Sequence, residues 1–141
     1  ADPQACLNCA LAAKFPIELA AGLIIAGRLT NARRAAIVTD IRVPSSWMFE
    51  LRQACSEAGI RVEAIINDYP QADPTLMLYA LLGRRLRPGR LPTDLGVLLF
   101  DAAAAVAIGR YALLGEPMLQ SPIAIRDHVL QRSHYLTVPM N

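Results

Sequence analysis

Few residues in this chain have the type and spacing to do chemistry. Cys6 and Cys9 stand as Cys-x-x-Cys, the spacing of half a tetrahedral metal site or of a redox dithiol. Such a site needs further ligands, and only Cys55, His128 and His134 are on offer, so small residues in a packed N-terminus explain the pair more simply and no metal site is expected. His128 and His134 lie six residues apart, without the i, i+4 spacing of a helical zinc pair, and no serine sits in a nucleophile elbow. They read as surface or hydrogen-bonded histidines, and no catalytic residue is assigned.

Arg84, Arg85, Arg87 and Arg90 form a basic cluster that suits an anion or an acidic partner, or else a solvated loop complementing the C-terminal end of the helix before it. Leu86 and Pro88 intervene, so the guanidinium groups need not converge. Asp40, Asp68 and Asp101 follow three apolar runs. At the carboxyl ends of parallel strands such carboxylates accept hydrogen bonds from ribose or ribityl hydroxyls or hold a cation, and as helix N-caps Asp40 and Asp101 need no ligand at all. There is no Gly-x-Gly-x-x-Gly and no Walker loop to cradle a phosphate.

The elements that would carry these residues alternate. Residues 1–15 read as a short irregular or strand-like lead. Pro16 starts a helix with a broad apolar face to Gly27, and Ala35–Thr39 is a short apolar strand. Pro44-Ser-Ser46 opens a helix from Trp47 to Ala58, and Ile60–Ile66 is the next strand. Asp73-Pro74 starts a helix to about Leu82, and the wholly apolar run Leu95–Phe100 reads as a third strand. Asp101 and the alanines after it open a helix closed by Gly115. Ile123–Ile125 and Leu136–Val138 read as edge strands, with residues 128–141 an extended C-terminal tail. Strands separated by helices predict a single α/β domain over residues 1–141, with a mainly parallel sheet and helices on both faces.

Of the residues, 54% are hydrophobic and 18% charged, which leaves little polar surface and implies that part of the outside is covered by a partner. The net charge of +2 excludes nothing by itself but makes no argument for nucleic acid. Lys14 is the only lysine beside a set of arginines. An odd count of three cysteines argues against a disulfide framework. The longest uncharged runs fall short of the roughly 20 residues of a membrane span. The chain opens on Ala-Asp-Pro, as a processed chain or a piece of a longer one would, and no signal-like apolar core follows.

One set of motifs runs through the second half: Tyr69-Pro-Gln71, Leu78-Tyr-Ala-Leu81, Gly83-Arg84, Leu91-Pro-Thr-Asp94, Gly96-Val97, Gly115-Glu-Pro-Met118 and the closing His134-Tyr-Leu-Thr-Val-Pro139. In order and spacing this resembles the flavin domain shared by the 51 kDa subunit of respiratory complex I and the C subunit of the Rnf electron-transport complex, with the related cobalamin reductases. The resemblance implies FMN as cofactor and places contacts to it at Asn8, Tyr69, Asp73, Phe100, Asp101 and Ala104. The departures fall at those contacts. The family's glycine-rich flavin loop and cysteine-rich cluster segment are absent, Gly-Gly-Glu after Tyr-Pro-Gln has become Ala72-Asp73-Pro74, and Gln-Asn-Val-Gly-Thr has become Phe100-Asp101-Ala102-Ala103-Ala104.

The expectation is a subunit of an electron-transfer complex that has lost tight FMN and NADH binding and acts through contacts with the other subunits, or with a second copy of itself. Its location would be cytoplasmic, peripheral to a membrane complex. Two alternatives stay open. One is an FMN-dependent NADH:acceptor oxidoreductase domain completed by a partner chain, and the other a small-ligand or nucleotide-binding regulator.

Overall fold

The computed structural model describes residues 7–66, 70, 73–127, 129–130 and 132–140. Among the described residues the chain forms five α-helices. The first, α1 (Leu7–Lys14), replaces the irregular lead expected from the sequence: its alanines favour a helix, and a run this short persists only because it packs on other helices. In α2 (Pro16–Leu29) the proline occupies the first turn, where its missing N–H costs nothing. Helix α3 spans Ser45–Ser56. Helix α4 (Pro74–Leu82) is capped by the Asp73 carboxylate, which accepts from the Thr75 N–H at 2.8 Å, and ends on left-handed Gly83. Helix α5 (Ala102–Leu114) repeats that grammar with Asp101 in front and Gly115 behind.

The sheet expectation holds only in part. Strands β1 (Ala36–Asp40) and β2 (Arg61–Ile65) pair in parallel, with Val38 opposite Glu63. The run Val97–Phe100 is not a strand: a single 3-10 turn at Pro92–Leu95 delivers it as irregular chain, so the third parallel strand is missing from the sheet. Strands β3 (Gln120–Asp127) and β4 (Arg132–Pro139) form an antiparallel hairpin of their own, with Ile123 opposite Leu136. The runs Ile123–Ile125 and Leu136–Val138, expected as edge strands, lie in β3 and β4. A mainly parallel sheet is not what the described residues form; they make one parallel pair and one antiparallel pair.

The core gathers Leu19 and Ala20 of α2, Leu51 and Cys55 of α3, Ile60, and Ala105 and Val106 of α5. Its centre is the crossing of α2 and α5, where two glycines let the backbones touch. A Cβ on Gly22 would lie 1.8 Å from the Ala105 carbonyl oxygen, and one on Gly109 would lie 1.8 Å from the Glu18 carbonyl oxygen. No larger residue fits either position without parting the helices. This crossing anchors α5, the helix whose N-terminus holds most of the expected site.

Candidate functional site

The N-terminus of α5 is where several expected site residues converge. Four backbone N–H groups at a helix start lack intrahelical partners and present a positive dipole end, which suits an anion. Here two of them are already engaged. Asn8, from α1, turns its Oδ1 to accept the Ala102 N–H at 3.1 Å. Asp101 accepts the Ala104 N–H through Oδ1 at 2.7 Å. Phe100 precedes the cap with 41% of its surface exposed, and Ala104 lies half-buried in the first turn. Asn8, Phe100, Asp101 and Ala104 therefore belong to one place, assembled from two segments far apart in sequence.

The other expected residues go elsewhere. Asp73 is spent on the start of α4. Tyr69 and Asp68 lie outside the described residues, as do Cys6 and His128. Asp40 is not a helix cap. Its carboxylate takes the Arg42 Nε at 2.9 Å, the Arg42 Nη2 at 2.7 Å and the Arg42 backbone N–H at 2.8 Å, because the chain turns sharply after β1 and Pro44, not Asp40, precedes α3. His134 sits in β4 opposite Ile125.

Three of the four clustered arginines point to different neighbours. Arg84 donates to the Leu95 carbonyl at 3.3 Å, Arg85 lies over the Tyr79 ring at 5.2 Å, and Arg90 faces Asp94 at 3.9 Å. Each guanidinium is directed at a different neighbour, which fits the solvated-loop reading better than an anion site. Cys9 is disulfide-bonded, which the odd cysteine count did not lead one to expect. Cys55 is a fully buried free thiol, and that burial pushes its pKa up to about 11. It is a core residue and not a nucleophile. Among the described residues no three His, Cys, Asp or Glu side chains gather into a metal site.

A second concavity was not legible in the sequence. It is a cleft of about 540 Å³ between α1, α5 and the hairpin, lined by Leu11, Phe15, Val106, Met118 and Leu119 among others. Arg110 stands at it, stacked over the Phe15 ring at 5.0 Å and paired with Glu116. The only signal for it was the charged pair flanking the end of α5, which gains meaning once Phe15 is known to lie beneath Arg110. Among the described residues no single helix is long and apolar enough to cross a membrane; α1 and α2 reach the length together but are bent by 100° at their junction.

Helices before and after a parallel strand pair, with α5 starting where four of the six expected site residues meet, are consistent with a flavin-domain class. The family model of the Nuo51 FMN-binding domain matches residues 1–110, and the chain belongs to that family. It is 23% identical, over 86% of its length, to the C subunit of the proton-translocating ferredoxin:NAD(+) oxidoreductase complex of Clostridium ljungdahlii, and covers 26% of that protein. It is 30% identical to the cobalamin reductase PduS of Citrobacter freundii over 59% of this chain and 18% of that one. It is 27% identical to the C subunit of an ion-translocating oxidoreductase complex of Klebsiella pneumoniae over 55% of this chain and 10% of that one. The chain spans about a quarter or less of the length of these relatives.

Proposed function

We propose that this chain is the flavin-domain portion of an electron-transfer complex subunit that does not hold FMN or NADH tightly by itself and works through contacts with other subunits of the complex. The observation that carries the reading is the state of the α5 N-terminus. A flavin phosphate or ring would use free N–H donors and polar side chains there. Asn8 and Asp101 instead take up the Ala102 and Ala104 N–H groups, and the alanine side chains at positions 102–104 carry no polar group. The Asp101 carboxylate adds a negative charge that repels phosphate. The residues present do not fit FMN as its main grip.

The names of the relatives support protein partners from the same kind of complex, and the exposed apolar side chains support extensive contact with them. The second reading, an FMN-dependent oxidoreductase domain, rests on the family match itself and needs the flavin contacts to come from another chain or from the remainder of a longer one. Absorbance of the purified protein at about 370 and about 450 nm decides between them, because bound flavin absorbs in both bands. Colourless protein that does not quench the fluorescence of added FMN is the expected result. Stoichiometric flavin carried through purification would sink the proposal, and uptake only in the presence of another protein of the complex would establish the second reading.

A further inference from the structure

The flavin reading leaves the Cys6-x-x-Cys9 motif unused. Of the three cysteines, Cys55 is a free thiol and Cys9 is disulfide-bonded, so the partner of Cys9 is Cys6, which itself lies outside the described residues. A bond at this spacing closes a ring around Leu7 and Asn8 and nothing more. It ties no distant parts of the fold together, and it removes less freedom from the unfolded chain than a crosslink closing a long loop. Its spacing is the one found in dithiols that exchange.

The surroundings of Cys9 suit exchange. It is the third residue of α1, within the first turn, where the positive end of the helix stabilises a thiolate. It is half-buried and within reach of a small reagent, whereas Cys55 has no exposed surface. Asn8, inside the ring, is exposed, and its Oδ1 accepts the Ala102 N–H at the start of α5. No residue of α1 is fully buried, so packing holds its first turn lightly and the disulfide ring is a local restraint on Asn8.

We infer that Cys6 and Cys9 form a thiol–disulfide exchange site for small thiols of the glutathione class, and that its oxidation state is read at the α5 N-terminus through Asn8. In the reducing direction a thiolate attacks the Cys6 sulfur and expels Cys9 as a thiolate, leaving a mixed disulfide. A second thiol then displaces Cys6 and departs joined to the first as a disulfide. Two electrons and two protons thereby pass from two small thiols to the cysteine pair. The opened ring no longer restrains Asn8, and the Ala102 N–H exchanges its protein acceptor for water. The site is separate from the flavin reading, because its readouts are two thiols and one amide and neither needs flavin.

The test treats the native chain with reduced glutathione, then with iodoacetamide, and reads the intact mass. Two alkyl groups per chain are expected, at Cys6 and Cys9 with Cys55 unlabelled, and neither is expected when oxidised glutathione is in excess. Hydrogen exchange at the Ala102 amide, followed by NMR, is expected to be faster by about fivefold or more in the reduced chain. The double variant Cys6→Ser, Cys9→Ser is expected to show the fast rate under both conditions, and Asn8→Ala to abolish the difference between them. A disulfide that yields only in denaturant overturns the inference, since a structural crosslink resists glutathione in that way. So does an Ala102 rate that reduction leaves unchanged, or a redox dependence that persists in Asn8→Ala. Alkylation and exchange of the native chain need no variant, so they decide even where a variant fails to fold.

Discussion

Asn8 and Ala102 stand 94 residues apart in sequence, and the side-chain oxygen of the first accepts the backbone N–H of the second at 3.1 Å. That bond ties α1 to the start of α5 and fills, with protein, a donor that a ligand would otherwise meet.

Asn8→Ala is expected to destabilise the fold by about 1 kcal/mol, the usual worth of a helix-start cap, and Asp101→Ala by a similar amount. Both act on one helix end, so the double variant is expected to cost less than the sum. Thermal melts of the three variants check this. Additive losses would mean the two caps work independently.

Gly109→Ala sets a methyl against the Glu18 carbonyl with nowhere to go, since the obstacle is backbone. Parting α2 from α5 is expected to cost more than ~3 kcal/mol, at the severe end of single substitutions. Gly27→Ala, in the same α2 but with open space around the added carbon, is expected to be neutral or to stabilise by up to about 1 kcal/mol. Urea unfolding of the pair separates close packing from mere loss of a glycine.

Asp127 holds the hairpin turn. Its Oδ1 accepts the Leu130 N–H at 2.9 Å and the Val129 N–H at 2.8 Å, and these two bonds keep its carboxyl below the usual carboxylate range. A depressed folded pKa means the stabilisation is complete above the unfolded value and is lost as pH falls through the folded one. Hydrogen exchange at the Val129 and Leu130 amides should therefore stay protected at neutral pH, relative to exchange of a free peptide, and lose that protection below about pH 4. Asp127→Asn is expected to flatten that dependence.

Cys55 is expected to resist a thiol reagent at neutral pH until the protein unfolds, because burial holds the thiol in its protonated form. Reaction rates measured across a urea transition should rise with the unfolded fraction. Fast labelling of native protein would show that α3 opens readily.

Local chemistry made much of this fold readable. Pro16 at a first turn, Asp73-Pro74 before α4, Asp101 before α5 and Gly83 and Gly115 behind them act within a few residues of where they stand, so the elements they bound lie close to where they were expected. The capping role of Asp101 was legible for the same reason. Leu7–Lys14 was not legible as a helix, because eight residues with little amphipathic pattern are held by packing and not by propensity.

By itself the amino-acid sequence determined where helices start and stop, which runs are apolar, and the family to which the motifs point. Tertiary structure decided which apolar runs find partners. Val97–Phe100 has the composition of a buried strand, yet strand pairing is a contact between distant segments and composition does not name the neighbour. The same non-local choice folds β3 back on β4, seats Gly22 and Gly109 at the α2–α5 crossing, and brings Asn8 across the chain to α5. At the helix start where a ligand was expected, a side chain from the other end of the chain occupies the donor instead.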